Sequence, residues 1–345
     1  MLKNISLTLI KDSNFEKIIK VVDNKTTLNT IICIHNTKRG PSLGGLRIYP
    51  YKSDDDSLFD VKRLSEGMTY KSSLANIPLG GGKSIINCLP KNITNDMLKL
   101  YAEILNDING DYICAEDVGS NVEILDYIRT YTKFCAGISN GSGDPSLFTA
   151  FGVYRGIKAT METLYEQDGS LQDKTIAIQG LGNVGSYLLK LLFPTGAKIL
   201  ISDIDNDKQK ILSTKYKAYI SNNILEEKCD IFAPCALGGI IHTNNINKLK
   251  CKAIAGAANN QLLTEDLHFK LHKLGILYVP DFAINAGGII NVSQELKNEG
   301  YDFEKSKSDV DKIYYTIKNI LHVSKVNNKT PYEISINIAK NNLKY

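Results

Sequence analysis

The chain has 345 residues, 43% of them apolar and 23% charged, a composition that predicts a globular protein of about two domains with a sizeable buried core. Its 41 basic and 37 acidic side chains leave a net charge of only +4, and the lysines are scattered rather than gathered into a stripe, so no nucleic-acid surface is implied. No apolar run approaches the roughly 18 residues of a bilayer span, and the start Met1-Leu2-Lys3-Asn4-Ile5 lacks the pattern of a signal peptide, so a cytoplasmic chain with no membrane partner is expected.

Strand-like runs at 30–35, 46–49, 84–89 and 112–115 alternate with helical stretches at 58–76, 95–109 and 122–131, which predicts an α/β first domain over 1–140. A loop of small and turn residues at 137–145 then leads into a long amphipathic stretch at 147–165 and marks an interdomain boundary. From Lys174 the pattern becomes βαβ, with strands at 175–179, 198–202, 230–233, 253–255 and 276–279; this predicts a Rossmann-type, doubly wound second domain over 145–325. Residues 310–339 read as two helices joined around Asn327 and Pro331, and the last, about 325–345, is expected to pack back on the first domain.

Seven cysteines form no Cys-x-x-Cys pair and sit mostly in apolar runs, so buried free thiols are expected. His268 and His272 fall on one face of a predicted helix, but Phe269 stands where a zinc helix carries glutamate; solvated histidines and no metal are expected.

Gly180-Leu181-Gly182-Asn183-Val184-Gly185 directly follows the apolar strand Ile176-Ala177-Ile178 and opens a helix. The first glycine permits a tight turn, the second lets a pyrophosphate approach the backbone, and the third lets helix and strand pack closely. Asp203 ends the next strand, where a carboxylate can accept hydrogen bonds from both hydroxyls of an adenine ribose and repel a 2′-phosphate, so NAD is expected over NADP.

Gly80-Gly81-Gly82-Lys83-Ser84 ends like a phosphate loop, but Ile77 stands where that signature needs its earlier glycine, which disfavours a nucleotide hydrolase. The glycines suggest unusual dihedrals or close approach by a ligand, with Lys83 partly desolvated at the start of an apolar strand. Lys71 lies twelve residues upstream, and two lysines near one pocket depress each other's pKa, so that one can act as a base near neutrality. Asp117, after a strand and before a helix, can present a carboxylate to the same site.

These segments together resemble the amino-acid dehydrogenase family of the leucine, valine, phenylalanine and glutamate enzymes, the leucine branch most closely. The resemblance runs from about Lys17 to Ala339 through residues 40–47, 67–71, 79–84, 115–119, 149–153, 233–237, 255–261 and 280–292. It implies reversible oxidative deamination of an L-amino acid to a 2-oxo acid and ammonia. Lys71 would then hold the substrate carboxylate, Lys83 would activate the water that attacks the imine, and Asp117 would exchange protons with the amino group. Thr149 and Asn285 match residues that hold the nicotinamide carboxamide, with Ser186, Cys235 and Ala236 also on the cofactor side. Asn260 matches a residue near the substrate carboxylate. Leu43 stands where glutamate enzymes carry a lysine, so a substrate carboxylate there would be buried without a partner and glutamate is expected to be rejected. Gly44, Gly45, Met68, Ala115, Ile289 and Val292 complete an apolar substrate site suited to leucine, isoleucine or valine. An aromatic amino acid is the alternative substrate, and a silent dinucleotide-binding protein the alternative class. A homo-oligomer is implied, although the chain stops short of the C-terminal segment of leucine enzymes, which puts an octamer in doubt.

Overall fold

A computed structural model describes residues 5–166 and 168–344, which divide into two compact units. One holds the described residues up to Pro145, together with Ile289–Phe303 and those from Lys340 onward; the other holds Ser146–Gly288 and Glu304–Ala339.

The first unit is built on a six-stranded mixed sheet. Its strands are β1 (Ile5–Leu9), β2 (Lys17–Asp23), β3 (Leu28–Asn36), β4 (Ser42–Ile48), β5 (Gly80–Ile86) and β6 (Tyr112–Glu116), in the order β1-β2-β3-β5-β4-β6. The β1 to β3 meander and the β3/β5 pair are antiparallel, whereas β4 runs parallel to both β5 and β6. Helix α1 (Asp54–Leu74) covers one face, its Val61 packed over Ile18, Ile31, Cys33 and Ile85; α2 (Asn95–Asp107) and α3 (Val122–Arg129) cover the other, over Ile32, Leu46, Ile48 and Ile86. Helix α1 starts four residues before the apolar pattern does, because Ser53 accepts from the Asp56 N–H at 3.0 Å and Asp54, Asp55 and Asp56 favour the positive end of the helix dipole. The exposed strand β1, with Leu7 and Leu9 in solvent, and the lysine-interrupted β2 precede the first strand legible in the sequence.

The second unit carries an all-parallel sheet of β7 (Thr175–Gln179), β8 (Lys198–Ser202), β9 (Tyr219–Ile220), β10 (Cys229–Pro234), β11 (Cys251–Ile254) and β12 (Leu277–Tyr278), in the order β12-β11-β10-β7-β8-β9. That order reverses direction between β7 and β10, which is the switch point of a doubly wound Rossmann fold. Helices α4 (Ser146–Tyr165), α5 (Asn183–Leu192), α6 (Asn206–Tyr216), α7 (Leu267–Lys273), α8 (Asp281–Ile284), α9 (Gly287–Glu295), α10 (Phe303–Asp311), α11 (Ile313–Asn327) and α12 (Pro331–Asn342) complete the chain. The body of α12 stays with the second unit, where Tyr332 packs on His268 and Phe282. Its last turn belongs to the first, where Arg39 Nη1 donates to the Asn342 carbonyl at 3.1 Å.

Two expectations are corrected. His268 is only 6% exposed, stacks on Tyr332 and pairs its Nδ1 with Thr330 Oγ1 at 3.0 Å, so burial rather than solvation explains it; His272 is exposed. The glycines at 80–82 have no left-handed dihedrals and lie inside β5. A Cβ on Gly81 would fall 2.0 Å from the Thr69 nitrogen of α1, and one on Gly82 2.8 Å from the Tyr112 ring, so this protein's own packing is what approaches the strand closely. The seven cysteines are free, and five of them are fully buried.

Candidate active site

Strand β5 carries Lys83 at its centre, on the face that also bears Gly81 and Ile85 and is covered by α1. Parallel pairing puts Leu43, Gly45 and Arg47 of β4, and Ala115 of β6, on the same face. Lys83 is 3% exposed, and its Nζ lies 3.0 Å from Asp117 Oδ1. Asp117 follows β6 directly and is fixed by its own turn: its N–H donates to Ser120 Oγ at 2.9 Å, and that hydroxyl donates to the Leu46 carbonyl at 2.8 Å. A Cβ on Gly45 would fall 2.6 Å from both Asp117 Cβ and the Glu116 carbonyl, and 3.1 Å from Lys83 Nζ. Glycine is required there because the ion pair occupies the space a side chain would take.

The pair does not stand alone. Arg47 Nε donates to Asp117 Oδ2 at 2.7 Å and its Nη1 to Asp60 Oδ2 at 2.8 Å, while Tyr51 donates its hydroxyl to Asp60 at 2.5 Å. Burial disfavours the charged form of Asp117, yet Lys83 and Arg47 outweigh it and hold the carboxyl down to about 2. Burial lowers the Lys83 pKa, Arg47 lowers it further, and Asp117 opposes both. Lys71 lies on the last turn of α1, eleven residues or about three turns after Asp60, and therefore on the same helix face. The neighbouring Glu116 is raised to about 7 by burial, with Asp144 and Asp117 adding to it, and its buried Oε2 has no hydrogen-bond partner among the described residues.

Leu43, Ala115, Ile289 and Val292 are all buried, Met68 is half-buried, and Gly44 and Gly45 form the β4 backbone between Leu43 and Leu46. Ile289 and Val292, on α9, belong to the first unit with the lysine site, although they fall within the 145–325 range expected for the Rossmann domain. Glu295 of the same helix accepts from the Gly137 and Ser142 N–H groups, each at 2.9 Å, and from Ser142 Oγ at 2.8 Å, tying down the loop before α4. Arg47, Asp60, Tyr51, Ser120 and Glu295 were not singled out from the sequence.

The dinucleotide motif lies at the switch point of the second unit. Gly180 takes a φ of +91°, where a Cβ would strike Ala236 at 2.7 Å, and Cys235 N–H donates to the Gln179 carbonyl at 2.7 Å. A Cβ on Gly185 would come within 1.9 Å of the Gly180 carbonyl, so the third glycine serves helix packing. Gly182 has nothing within 4 Å of its Cβ position and no side chain caps α5 there, leaving the approach that a pyrophosphate needs. Ser186 Oγ donates to the Leu181 carbonyl at 2.7 Å, one turn beyond Asn183 and Val184. Asp203 accepts from the Leu181 N–H and, through Oδ1, from the Asp205 N–H at 2.9 Å, so it also shapes the loop. Asn285 is buried; its Nδ2 donates to the Ala257 carbonyl at 3.0 Å and to Asn259 Oδ1 at 2.8 Å, while its Oδ1 has no partner among the described residues. Thr149 backs the adjacent turn, its Cα 3.1 Å from a Cβ on Gly287. That orphaned carbonyl oxygen and the open Gly182 fit a nicotinamide dinucleotide. Asn260 sits in the left-handed region with φ +50° and donates its N–H to Asp281. Among the described residues no group of three or more His, Cys, Asp or Glu side chains could hold a metal, and no helix is long and apolar enough to cross a membrane.

Comparison with known proteins gives a concordant picture. Residues 15–134 match the family described as "Glu/Leu/Phe/Val dehydrogenase, dimerisation domain", and residues 141–206 and 200–344 match "Glutamate/Leucine/Phenylalanine/Valine dehydrogenase". The chain is 42% identical to leucine dehydrogenase of Thermoactinomyces intermedius, over 90% of this chain and 86% of that protein. It is 40% identical to phenylalanine dehydrogenase of the same organism, over 95% of this chain and 91% of that one. The crystal structure of L-tryptophan dehydrogenase from Nostoc punctiforme superposes with a TM-score of 0.81 at 37% identity, covering 96% of each chain.

Proposed function

The chain belongs to the glutamate/leucine/phenylalanine/valine dehydrogenase family and is an amino-acid dehydrogenase, and we propose that it carries out reversible, NAD-dependent oxidative deamination of a branched-chain L-amino acid. The observation that carries this reading is the buried Lys83–Asp117 pair at 3.0 Å beside the side-chain-free Gly45. Lys83, disposed by burial to lose its proton, is the base that activates water for attack on the imine carbon. Asp117 is held ionised, so near neutrality it serves as the anion that accepts hydrogen bonds from the substrate amine and orients it. Lys71 supplies the cation for the substrate carboxylate.

The dinucleotide would be held by the loop 180–186, with Asp203 on the ribose and Thr149 and Asn285 on the carboxamide, next to Cys235 and Ala236. When bound it supplies the acceptor for the α-carbon hydride. Asp203 supports NAD over NADP because a 2′-phosphate would meet its carboxylate.

Leu43, 1% exposed, and Ala115, Ile289 and Val292 support an apolar substrate side chain and disfavour glutamate. An aromatic substrate is the second reading, favoured by identity to the phenylalanine enzyme nearly equal to that with the leucine enzyme. The matched dimerisation domain supports a homo-oligomer, and seven free cysteines support a reducing, cytoplasmic setting. The test is reduced-cofactor absorbance with L-leucine, L-isoleucine, L-valine, L-phenylalanine, L-tryptophan and L-glutamate, each with NAD and NADP. Turnover led by leucine, isoleucine or valine with NAD is expected; leading activity with a ring substrate selects the second reading. Protein that binds NADH yet turns over none of the six would overturn both.

A further inference from the structure

A lysine paired one-to-one with a buried carboxylate is a poor base, because the carboxylate stabilises the ammonium form. In this site the carboxylate is shared: Asp117 Oδ1 faces Lys83 at 3.0 Å and Oδ2 faces Arg47 at 2.7 Å. Arg47 is held in turn by Asp60 at 2.8 Å, and Asp60 by the Tyr51 hydroxyl. The charges alternate along the chain of contacts, and the side chains of Lys83, Asp117 and Arg47 are 4%, 11% and 16% exposed, so water screens them little.

We propose that Arg47, anchored by Asp60, is a positioning residue of the active site: it takes up half of the Asp117 carboxylate, fixes its orientation, and leaves Lys83 able to release its proton. This rests on the proposed reading of Lys83 as the base. Arg47 acts through Asp117, holding its Oδ2 while Lys83 takes Oδ1. The planar fork suits the task, since Nε and Nη1 reach two carboxylates at once, which a lysine ammonium does with less geometric constraint.

The groups around Lys83 can be named from every neighbouring element. Arg47 comes from β4, Asp60 and Lys71 from α1, and Glu116 and Asp117 from the end of β6. Cys33 of β3 lies opposite Lys83 in register, its thiol pushed up to about 12 by burial. Tyr101 and Tyr112 meet Ser84 on the other sheet face, and burial pushes both phenols well above their ordinary range. Glu116, raised to about 7, brings a second titration near neutrality, so the measurements belong in both the parent and a Glu116→Gln background.

The experiment is the pH profile of kcat/KM for the full-length enzyme and its Arg47→Gln, Arg47→Lys and Asp60→Asn variants. Loss of the Arg47 charge should move the acid limb up by about one pH unit or more, a roughly tenfold loss below the limb that is regained at higher pH. Arg47→Lys should keep the limb within about half a unit while lowering kcat, and Asp60→Asn should move it the opposite way, because removing that anion disfavours the Lys83 ammonium. Carbamylation of Lys83 by cyanate, read at its peptide by mass spectrometry and compared between variants at each pH, reports the same proton affinity without turnover. An unmoved limb and unmoved carbamylation in folded Arg47→Gln, with activity reduced equally at all pH values, overturns the inference and leaves a merely structural arginine. If no amino acid is turned over but carbamylation shifts as expected, the deamination reading fails and the charge-sharing stands.

Discussion

Adding one methyl group at Gly45 tests whether the ion pair and the two strands carrying it are packed as tightly as the geometry says. In Gly45→Ala the new Cβ meets Asp117 Cβ and the Glu116 carbonyl at 2.6 Å each, and Lys83 Nζ at 3.1 Å. Neither of the first two is the far end of a flexible side chain, so β4 and β6 must separate along the ladder that pairs Gly45 with Ala115. Overpacking of this kind costs about 1–3 kcal/mol. The displacement falls on the Asp117 side of the 3.0 Å contact with Lys83, and misplacing a reacting group by about 1 Å costs on the order of a hundredfold in rate. The same substitution at Gly67 is the internal control: it lies within α1 and its Cβ would meet nothing within 4 Å, so Gly67→Ala should stabilise by about 0.5–1 kcal/mol. Urea midpoints at unchanged slope, measured beside kcat, read both effects. A Gly45→Ala protein with the parent's midpoint and turnover would show that the strands are not closed around the pair as described.

Lys83→Ala should lower kcat by about a hundredfold to ten-thousandfold with NADH affinity within about twofold, since its partners are all in the first unit; an equal loss of NADH binding by fluorescence titration contradicts that separation. Asp203→Ser should raise the NADP to NAD ratio of kcat/KM while weakening both cofactors, because the carboxylate also holds the Leu181 and Asp205 N–H groups; an unchanged ratio shows that another side chain reads the ribose. Glu116, raised to about 7 from 4.5, binds its proton more tightly in the folded state, so its contribution to stability is complete below about pH 4.5 and is lost as pH rises through 7. Glu116→Gln should remove that decline, gaining about 1–2 kcal/mol on the parent between pH 4.5 and 8 after discounting for solvent contact; parallel stability curves by urea denaturation would refute it.

Much of the second unit was legible in advance because its determinants are local. The strand–glycine–helix order around Gly180 and the acidic end of β8 are each set within a few residues, and β7 and β8 match their predicted bounds to the residue. The first unit was harder. Strand β1 alternates cleanly in Ile5-Ser6-Leu7-Thr8-Leu9 but is a short, exposed edge strand, and β2 is interrupted by Lys20, so neither stands out as a core strand. The glycine run suggests unusual dihedrals or a ligand in the sequence because what approaches it, the backbone of α1 at Thr69, is eleven or more residues away. Arg47 and Asp60 were missed for a similar reason: their pairing exists only once β4 and α1 face each other. His268 was misread because Thr330 and Tyr332, which bury it, lie some sixty residues further on.

The glycine strand also bears on how the chain folds. Three consecutive residues without side chains give β5 little with which to choose its alignment between β3 and β4, and a shift by one would turn Lys83 to the opposite face. Ser84 supplies the missing selection, its hydroxyl meeting Tyr101 at 2.7 Å and Tyr112 at 3.0 Å, while Tyr112 also donates to the Gly44 carbonyl at 2.7 Å. Those hydroxyls act as an alignment key: they are satisfied in one insertion of the strand and stranded in apolar surroundings in its neighbours. A chain lacking the key would reach a compact form in good yield with part of its molecules mis-threaded and inactive, a loss visible in specific activity after refolding rather than in the amount of folded protein.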